Sequence, residues 1–152
     1  MTDRYETFTA LIAKISRNIK KIKNQEMADY DLRSPHISCL YYLYLSDGLT
    51  ATELCEKCEE DKATISRSLG YLENNGFLTC DSQSAKRYKS PLVLTEKGKA
   101  AGKRIADKIA FVLDEIGTGL TEEERISFYR SLTIISGGLE AMSSQPLAEE
   151  LR

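Results

Sequence analysis

The sequence predicts a mainly α-helical fold with one small β-hairpin. Two long segments, one near each end of the chain, carry apolar residues at the three- and four-residue spacing of an amphipathic helix. Between them lie shorter helical segments that begin at capping residues, and two short β-type runs that flank a polar loop. With 152 residues, of which 41% are hydrophobic and 29% charged, the chain has the composition of a folded protein, and we expect residues 1–152 to form a single domain.

The first two predicted helices lie in the N-terminal third of the chain. A long amphipathic helix starts near Phe8 and places its charged side chains away from the apolar face. A shorter helix follows, and we expect it to begin at Ser34, whose hydroxyl would cap a free backbone N–H, with Pro35 in the first turn. This helix ends near Asp47 and Gly48.

The next two helices are short and are separated by a tight turn. Thr50 and Glu53 match a capping box, in which the threonine hydroxyl and the glutamate carboxylate each bond the other residue's backbone N–H. Asp61 is expected to cap the second of these helices. Its inner positions are Ile65, Leu69 and Leu72. Two short helices joined by a tight turn form a helix-turn-helix arrangement.

A hairpin and two further helices complete the predicted fold. The runs 77–81 and 91–94 read as strands, and the basic loop between them is long enough to project as a wing. A second long helix opens at Thr95-Glu-Lys-Gly98, and the last helix begins at a capping box formed by Thr121 and Glu124.

Two basic surfaces are candidates for contact with double-stranded DNA. In the helix after Asp61, an exposed arginine can pair bidentately with guanine, and the helix start favours a phosphate. The residues expected to reach DNA from this helix are Lys62, Ala63, Thr64, Ser66, Arg67 and Gly70. The wing offers Lys86, Arg87 and Lys89, side chains that a narrow minor groove attracts. An ordinary solvated helix face and a solvated turn are the alternatives.

Charge alone does not decide between DNA binding and another role. The net charge is −2, but the segment 61–104 holds nine Lys or Arg against four Asp or Glu. Four glutamates near the helix-turn-helix oppose phosphate contact: Glu53, Glu56, Glu59 and Glu60. They leave open the alternative that the chain is a winged-helix protein-interaction module that does not bind DNA.

The cysteines and the single histidine leave a sensor alternative open. Cys55 and Cys58 form a C-x2-C pair, and with Cys39 and His36 they are a candidate zinc or thiol site. Buried packing thiols are the favoured interpretation, so no metal and no cofactor is expected. Cys80, at a strand end, is expected to be the most accessible thiol.

Enzymatic chemistry is not expected. The sequence has a single histidine, no residues at the spacing of a catalytic triad, and no phosphate-binding glycine loop. A small-molecule pocket lined by His36, Tyr41 and Tyr44 is a candidate, with core or rim packing of these rings as the alternative.

The apolar faces of the two terminal helices predict a homodimer, because so small a chain has no other surface to cover them. The residues expected at the dimer interface are Phe8, Leu11, Ile12, Ile15 and Ile19 near the N-terminus, and Phe128, Leu132, Ile135 and Leu139 near the C-terminus. No apolar run approaches the length of a membrane span, and the N-terminus does not resemble a signal peptide. We therefore expect a cytoplasmic protein without a membrane partner.

Three stretches resemble the multiple-antibiotic-resistance regulator (MarR) family of winged-helix transcription factors. Residues 50–54 look like the start of the family's first motif helix. The start of its recognition helix resembles Asp61-Lys-Ala-Thr-Ile-Ser-Arg67. The segment that leaves its wing, from strand to helix, resembles Leu92-Val-Leu-Thr-Glu-Lys-Gly98. Residues 72–78 add the helix end and the strand after it, so the likeness covers roughly residues 5–142.

The resemblance implies a dimer with interlocked terminal helices, which would be 5–30 and 99–142, and a winged lobe at 34–98. It further implies a transcriptional repressor on a pseudo-palindromic operator, released by a small-molecule effector. One departure concerns the wing: the family's Asp-x-Arg signature is replaced in register by Lys86-Arg87-Tyr88, so Arg87 lacks its acidic partner.

Overall fold

The computed structural model describes residues 4–79 and 89–145. In chain order, the helices are α1 (Arg4–Glu26), α2 (Ser34–Leu45), α3 (Ala51–Cys58), α4 (Lys62–Asn74), α5 (Glu96–Gly117) and α6 (Glu122–Ser143). A short 3₁₀ turn (Ala28–Tyr30) follows α1, and strands β1 (Leu78–Thr79) and β2 (Val93–Leu94) lie between α4 and α5. The predicted mainly α-helical fold with one small hairpin is confirmed. The chain divides into two compact units, Met1–Phe111 and Val112–Arg152.

Three predicted helix starts are confirmed by their capping hydrogen bonds. The backbone N–H of Glu53 donates to Thr50 Oγ1 at 3.2 Å, and the backbone N–H of Thr50 donates to the Glu53 carboxylate at 2.8 Å. Thr121 and Glu124 make the same reciprocal pair at the start of α6. Asp61 accepts from the backbone N–H of Thr64 at 2.7 Å. Each of these caps contributes about 1 kcal/mol to helix stability.

The predicted cap at Ser34 is wrong. The residue before α2 is Arg33, and its backbone N–H donates to His36 Nδ1 at 3.0 Å. The Ser34 hydroxyl instead accepts from the Asn24 side-chain amide at 2.7 Å. The Ser34 hydroxyl is therefore engaged in a contact with α1. The free backbone N–H at the helix start, that of Arg33, is satisfied by the imidazole of His36.

The core of the first unit lies where α2, α3, α4 and α5 meet. Its fully buried side chains include Leu40, Leu54, Ile65, Leu72 and Ile105, at most 1% exposed. Burial of side chains of this size contributes about 1.5 to 3 kcal/mol each, so the core fixes the relative positions of these helices. In α4 this leaves the side opposite Ile65 and Leu72 facing away from the core.

The hairpin is held to the helices at its base. The strands pair antiparallel with Leu78 opposite Leu94. Beside them, the backbone N–H of Thr95 donates to the Phe77 carbonyl at 3.1 Å, and α5 begins one residue later. Gly98, in the first turn of α5, lies so close to β1 that a Cβ there would be 1.9 Å from the Phe77 carbonyl oxygen. Only glycine fits this approach, which explains the Thr95-Glu-Lys-Gly98 pattern.

Helix α1 is joined to α5 by a polar contact. Arg104 donates to the Glu26 carboxylate at 2.8 Å and to the Tyr30 hydroxyl at 3.2 Å. These hydrogen bonds raise the pKa of Arg104 above its usual value. Both partners are reached by the same guanidinium, so the end of α1 and the turn after it have a defined position in the first unit.

Candidate nucleic-acid interface

Helix α4 has one buried and one exposed face. Ile65, Leu69 and Leu72 are buried, and Ser68 also faces inward, where its hydroxyl donates to the Thr64 carbonyl at 2.8 Å. The exposed residues of its N-terminal half are Lys62, Ala63, Ser66 and Arg67. Thr64 and Gly70, also named from the sequence, are partly buried. The helix therefore presents two cationic side chains and one hydroxyl on a surface that the core holds rigid.

The Arg67 side chain has a weak local partner. Its Nη2 donates to Thr64 Oγ1 at 3.3 Å, and the Thr64 hydroxyl donates to the Asp61 carboxylate at 3.0 Å. A guanidinium has five N–H donors, and a neutral hydroxyl satisfies only one of them. Arg67 is therefore oriented by the first turn of α4 while most of its donors face outward.

The start of α4 is less favourable for a phosphate than its sequence suggests. Hydrogen bonds from Thr64, first the backbone N–H and then the hydroxyl, lower the pKa of Asp61, so its carboxylate stays charged at neutral pH. That negative charge offsets the positive end of the helix dipole. A phosphate contact in this region must therefore rely on the cationic side chains of Lys62 and Arg67.

The structure describes only part of the predicted wing. Lys86 and Arg87 lie outside the described residues, as does Cys80. Lys89 is exposed where the chain returns toward β2. Val93 of β2 is 56% exposed, so the short sheet has an apolar outer side.

His36, Tyr41 and Tyr44, the candidate pocket residues, have different neighbours. His36 stacks on Tyr71 of α4, with ring centroids 4.2 Å apart and planes 10° apart. Burial first, and then the charge of Arg33, lowers the pKa of His36. Tyr41 makes an edge contact with Tyr42 at 5.2 Å between centroids. Sequence reasoning missed Tyr71, because nothing in the local pattern of α4 indicates a partner on α2.

Tyr44 lines an open groove of about 650 Å³ at the end of α2. The groove is bounded by Leu43, Tyr44, Leu45, Asp47, Gly48, Leu92, Val93, Leu94 and Lys99. Its walls are mostly apolar, and Asp47 and Lys99 supply one charge of each sign. This combination of apolar walls and a few polar groups is typical of small-molecule sites. The sequence did not point to it, since its two sides lie far apart in the chain.

The three cysteines in the described part of the chain differ in burial. Cys39 is fully buried, whereas Cys55 and Cys58 are only partly buried against the core. Burial raises the pKa of the Cys55 thiol. Within residues 4–79 and 89–145, no group of three or more His, Cys, Asp and Glu side chains is arranged to hold a metal ion.

The predicted interface residues of the terminal helices are largely uncovered. In α1, Leu11, Ile12 and Ile15 are 53%, 40% and 49% exposed, and Phe8 and Ile19 are partly buried. In α6 no residue is buried. Its predicted interface residues Phe128, Ile135 and Leu139 are exposed, and Leu132 is partly buried.

Further apolar side chains are exposed near the C-terminus. They are Phe111, Leu113, Ile116, Leu120, Ile126, Tyr129, Ile134 and Met142. None of the helices in the described ranges is both long enough and apolar enough to span a membrane. So large an apolar surface on helices that do not span a membrane is typical of a protein–protein contact.

Comparisons with known proteins identify the family. A sequence profile of the MarR family matches residues 30–87. The HTH-type transcriptional regulator YybA of Bacillus subtilis is 30% identical over 116 residues, covering 75% of this chain and 76% of YybA. The structure of the transcriptional regulator PA3341 has a TM-score of 0.77 at 25% identity, over 88% of this chain and 98% of that one. A complex of S. aureus MepR with DNA has a TM-score of 0.71 at 22% identity, over 90% and 99%. The chain belongs to the MarR family of transcriptional regulators.

Proposed function

We propose that this chain is a homodimeric repressor, not an enzyme, that binds a pseudo-palindromic DNA operator through α4 and is released by a small-molecule effector. The observation that carries the proposal is the exposed N-terminal half of α4, with Arg67 and Lys62 directed away from a buried opposite face. An α-helix of this kind fits the major groove of B-DNA. A regulator of this kind acts in the cytoplasm.

Arg67 is the residue proposed to read a base. Its present acceptor is the Thr64 hydroxyl at 3.3 Å, a long bond between a cation and a neutral group. The O6 and N7 acceptors of guanine would replace it with two bonds in the planar geometry of a guanidinium. The gain is specific to guanine, because adenine presents a donor at the corresponding position.

The proposed dimer follows from the uncovered apolar faces of α1 and α6. A two-fold dimer brings two copies of α4 to two half-sites, which requires an operator of matching symmetry. The fold shared with S. aureus MepR, whose structure is a complex with DNA, supports binding to DNA. The groove next to Tyr44 is the proposed effector site, because its volume of about 650 Å³ lies in the range of small-molecule pockets.

The proposal is tested by DNA selection followed by a substitution. Sequencing of random duplexes retained by the purified full chain should reveal an enriched palindrome. Fluorescence anisotropy should then show that Arg67→Ala weakens binding to this operator by about 1 to 3 kcal/mol, roughly five- to 150-fold, and weakens binding to a scrambled duplex much less.

The control is Arg17→Ala, which removes an exposed arginine from α1 and should leave the preference for the operator intact. Equal operator affinity of Arg67→Ala and the parent would show that α4 does not read bases. A selection that enriches no sequence would favour the alternative of a protein-interaction module.

A further inference from the structure

The C-terminal end of α4 is held by residues at the start of α5. The Lys97 ammonium donates a hydrogen bond of 2.8 Å to the carbonyl of Asn75, the residue that follows α4. The Thr95 hydroxyl donates to the next carbonyl, that of Gly76, at 2.5 Å. The same hydroxyl accepts from the backbone N–H of Gly98 at 3.1 Å. Carbonyls at the end of a helix lack partners within it, and a lysine there also has the charge that the helix dipole favours.

Lys97 has a second partner between α4 and the hairpin. Its Nζ lies 4.3 Å from the centre of the Phe77 ring, and Phe77 is buried. An ammonium over an aromatic ring is attracted by the negative charge of the ring face. One side chain of α5 therefore contacts both the end of α4 and the residue that leads into β1.

A second cation of α5 joins this helix to α1. Arg104 follows Lys97 by seven residues, about two helical turns, so both lie on the same side of α5. Arg104 donates to the Glu26 carboxylate and to the Tyr30 hydroxyl. Helix α1 carries the uncovered apolar face of the proposed dimer. Helix α5 thus connects the end of the proposed recognition helix with the helix at which two subunits would meet.

The residues that would read DNA lie at the other end of α4. The helix has 13 residues, which corresponds to a length of about 20 Å. A tilt of about 10° around its C-terminal end would move its first turn by about 3 Å. Successive base pairs are about 3.4 Å apart. A small change of angle at Asn75 therefore displaces the first turn of α4 by almost one base pair.

We propose that Lys97 is a positioning residue of the DNA-binding surface, which fixes the angle between α4 and α5 and thereby sets the spacing of operator half-sites that the dimer accepts. The inference rests on the proposed function, since it requires α4 to read DNA in a dimer. Lys97 lies at the opposite end of α4 from Lys62 and reads no base. Its loss should therefore broaden the range of accepted spacings.

The first experiment measures this spacing with the full chain. Fluorescence anisotropy compares the selected operator with a duplex that has one additional base pair at its centre, which turns one half-site by about 35° relative to the other. The parent should bind the longer duplex much more weakly. Lys97→Met keeps most of the apolar stem without the charge or the donor, and it should reduce this discrimination several-fold. Lys97→Arg retains both and should preserve it, as should Lys103→Met at an exposed position of α5.

The ratio of the two affinities separates positioning from other roles of Lys97. A loss of stability alone would lower the affinity for both duplexes in the same proportion. A phosphate contact by Lys97 would instead reduce the slope of log affinity against log salt concentration. Unchanged discrimination in Lys97→Met, with or without a change in this slope, would overturn the proposal.

The second experiment needs no DNA. The backbone N–H groups of Asn75, Gly76 and Phe77 donate to carbonyls of α4. Hydrogen exchange measured by mass spectrometry should be several-fold faster at these amides in Lys97→Met, and unchanged in Lys103→Met. Equal exchange in Lys97→Met and the parent would refute the joint between α4 and α5. If exchange responds but the parent selects no operator, DNA reading by α4 and the role in spacing are both refuted, whereas the joint itself is not.

Discussion

Replacing Gly98 by alanine tests how closely α5 must approach β1. The new Cβ would lie 1.9 Å from the Phe77 carbonyl oxygen and 3.0 Å from Leu94 Cδ2. A carbon and an oxygen in favourable contact are about 3.3 Å apart, so the two backbones must separate by more than about 1 Å. The clashing atom belongs to the backbone of Phe77, and Phe77 is itself buried. No side-chain rotation can therefore relieve the clash.

The cost of this separation can be approximated from its parts. Overpacking of a tight contact costs about 1 to 3 kcal/mol. The hydrogen bond from Thr95 N–H to the same Phe77 carbonyl, now 3.1 Å, would be stretched or lost, at about 1 kcal/mol. Alanine returns about 1 kcal/mol through its better helix propensity. The free energy of unfolding should therefore fall by about 1 to 3 kcal/mol.

Urea denaturation at one fixed protein concentration measures this change, since the stability of the proposed dimer would depend on concentration. Gly70→Ala is the matched control, because its added Cβ meets no heavy atom within 4 Å and α4 is helical there. It should raise the free energy of unfolding by up to about 1 kcal/mol. A Gly98→Ala variant as stable as the parent would refute the reasoning from the close contact.

Two further predictions concern assembly and pH. Ile15→Glu places a charge on the exposed apolar face of α1, so sedimentation should show monomers in place of the proposed dimer. The control Arg17→Glu, on the same helix, should leave the dimer intact. A dimer that survives Ile15→Glu would contradict the proposed interface. For His36, the pKa is lowered in the folded state, so the unfolded chain binds more protons and stability should fall as the pH drops below about 6.5. His36→Gln cannot titrate, and its denaturation midpoint should decline less between about pH 7 and pH 5; parallel curves for the two proteins would be inconsistent with this sign.

The sequence predicts the features whose partners are close in the chain. Thr50 with Glu53, and Thr121 with Glu124, are three residues apart in the chain, and both pairs form as expected. The inward positions of α4 follow from the helical period, and Ile65 is buried as predicted. Local geometry is enough for these features, because a helix brings residues three and four apart together whatever surrounds it.

The features that were missed join residues far apart in the chain. Ser34 fails as a cap because Asn24 holds its hydroxyl. The stacking of His36 on Tyr71 needs α2 and α4 to pack in one orientation. Neither residue type nor spacing within one helix encodes that orientation. The burial of Lys23, which is 8% exposed, is a further example, because the charged side chains of α1 were expected to lie away from its apolar face.

Helix α2 connects the proposed effector groove with the proposed recognition helix. It packs against α1, α3, α4 and β2. At its C-terminal end Tyr44 lines the groove, and at its N-terminal end His36 stacks on Tyr71 of α4. Tyr71 in turn donates to the Asp31 carbonyl at 2.8 Å, so α4 is also tied to the segment before α2.

An effector in this groove can change DNA affinity only if it binds two arrangements of the protein with different affinity. The walls of the groove restrict what those arrangements can be. Gly102 of α5 lies against Tyr44 so closely that a Cβ would be 2.6 Å from the Tyr44 Cβ, so α2 has no room to shift toward α5 at this point. Two sides of the groove have more freedom to move. One is the exposed turn at Asp47 and Gly48, and the other is β2, where Val93 is exposed. Since β2 forms the base of the predicted wing, a ligand that moves it acts on the wing directly. It acts on α4 by two routes, through α2 and through β1, which pairs with β2 and packs against α4.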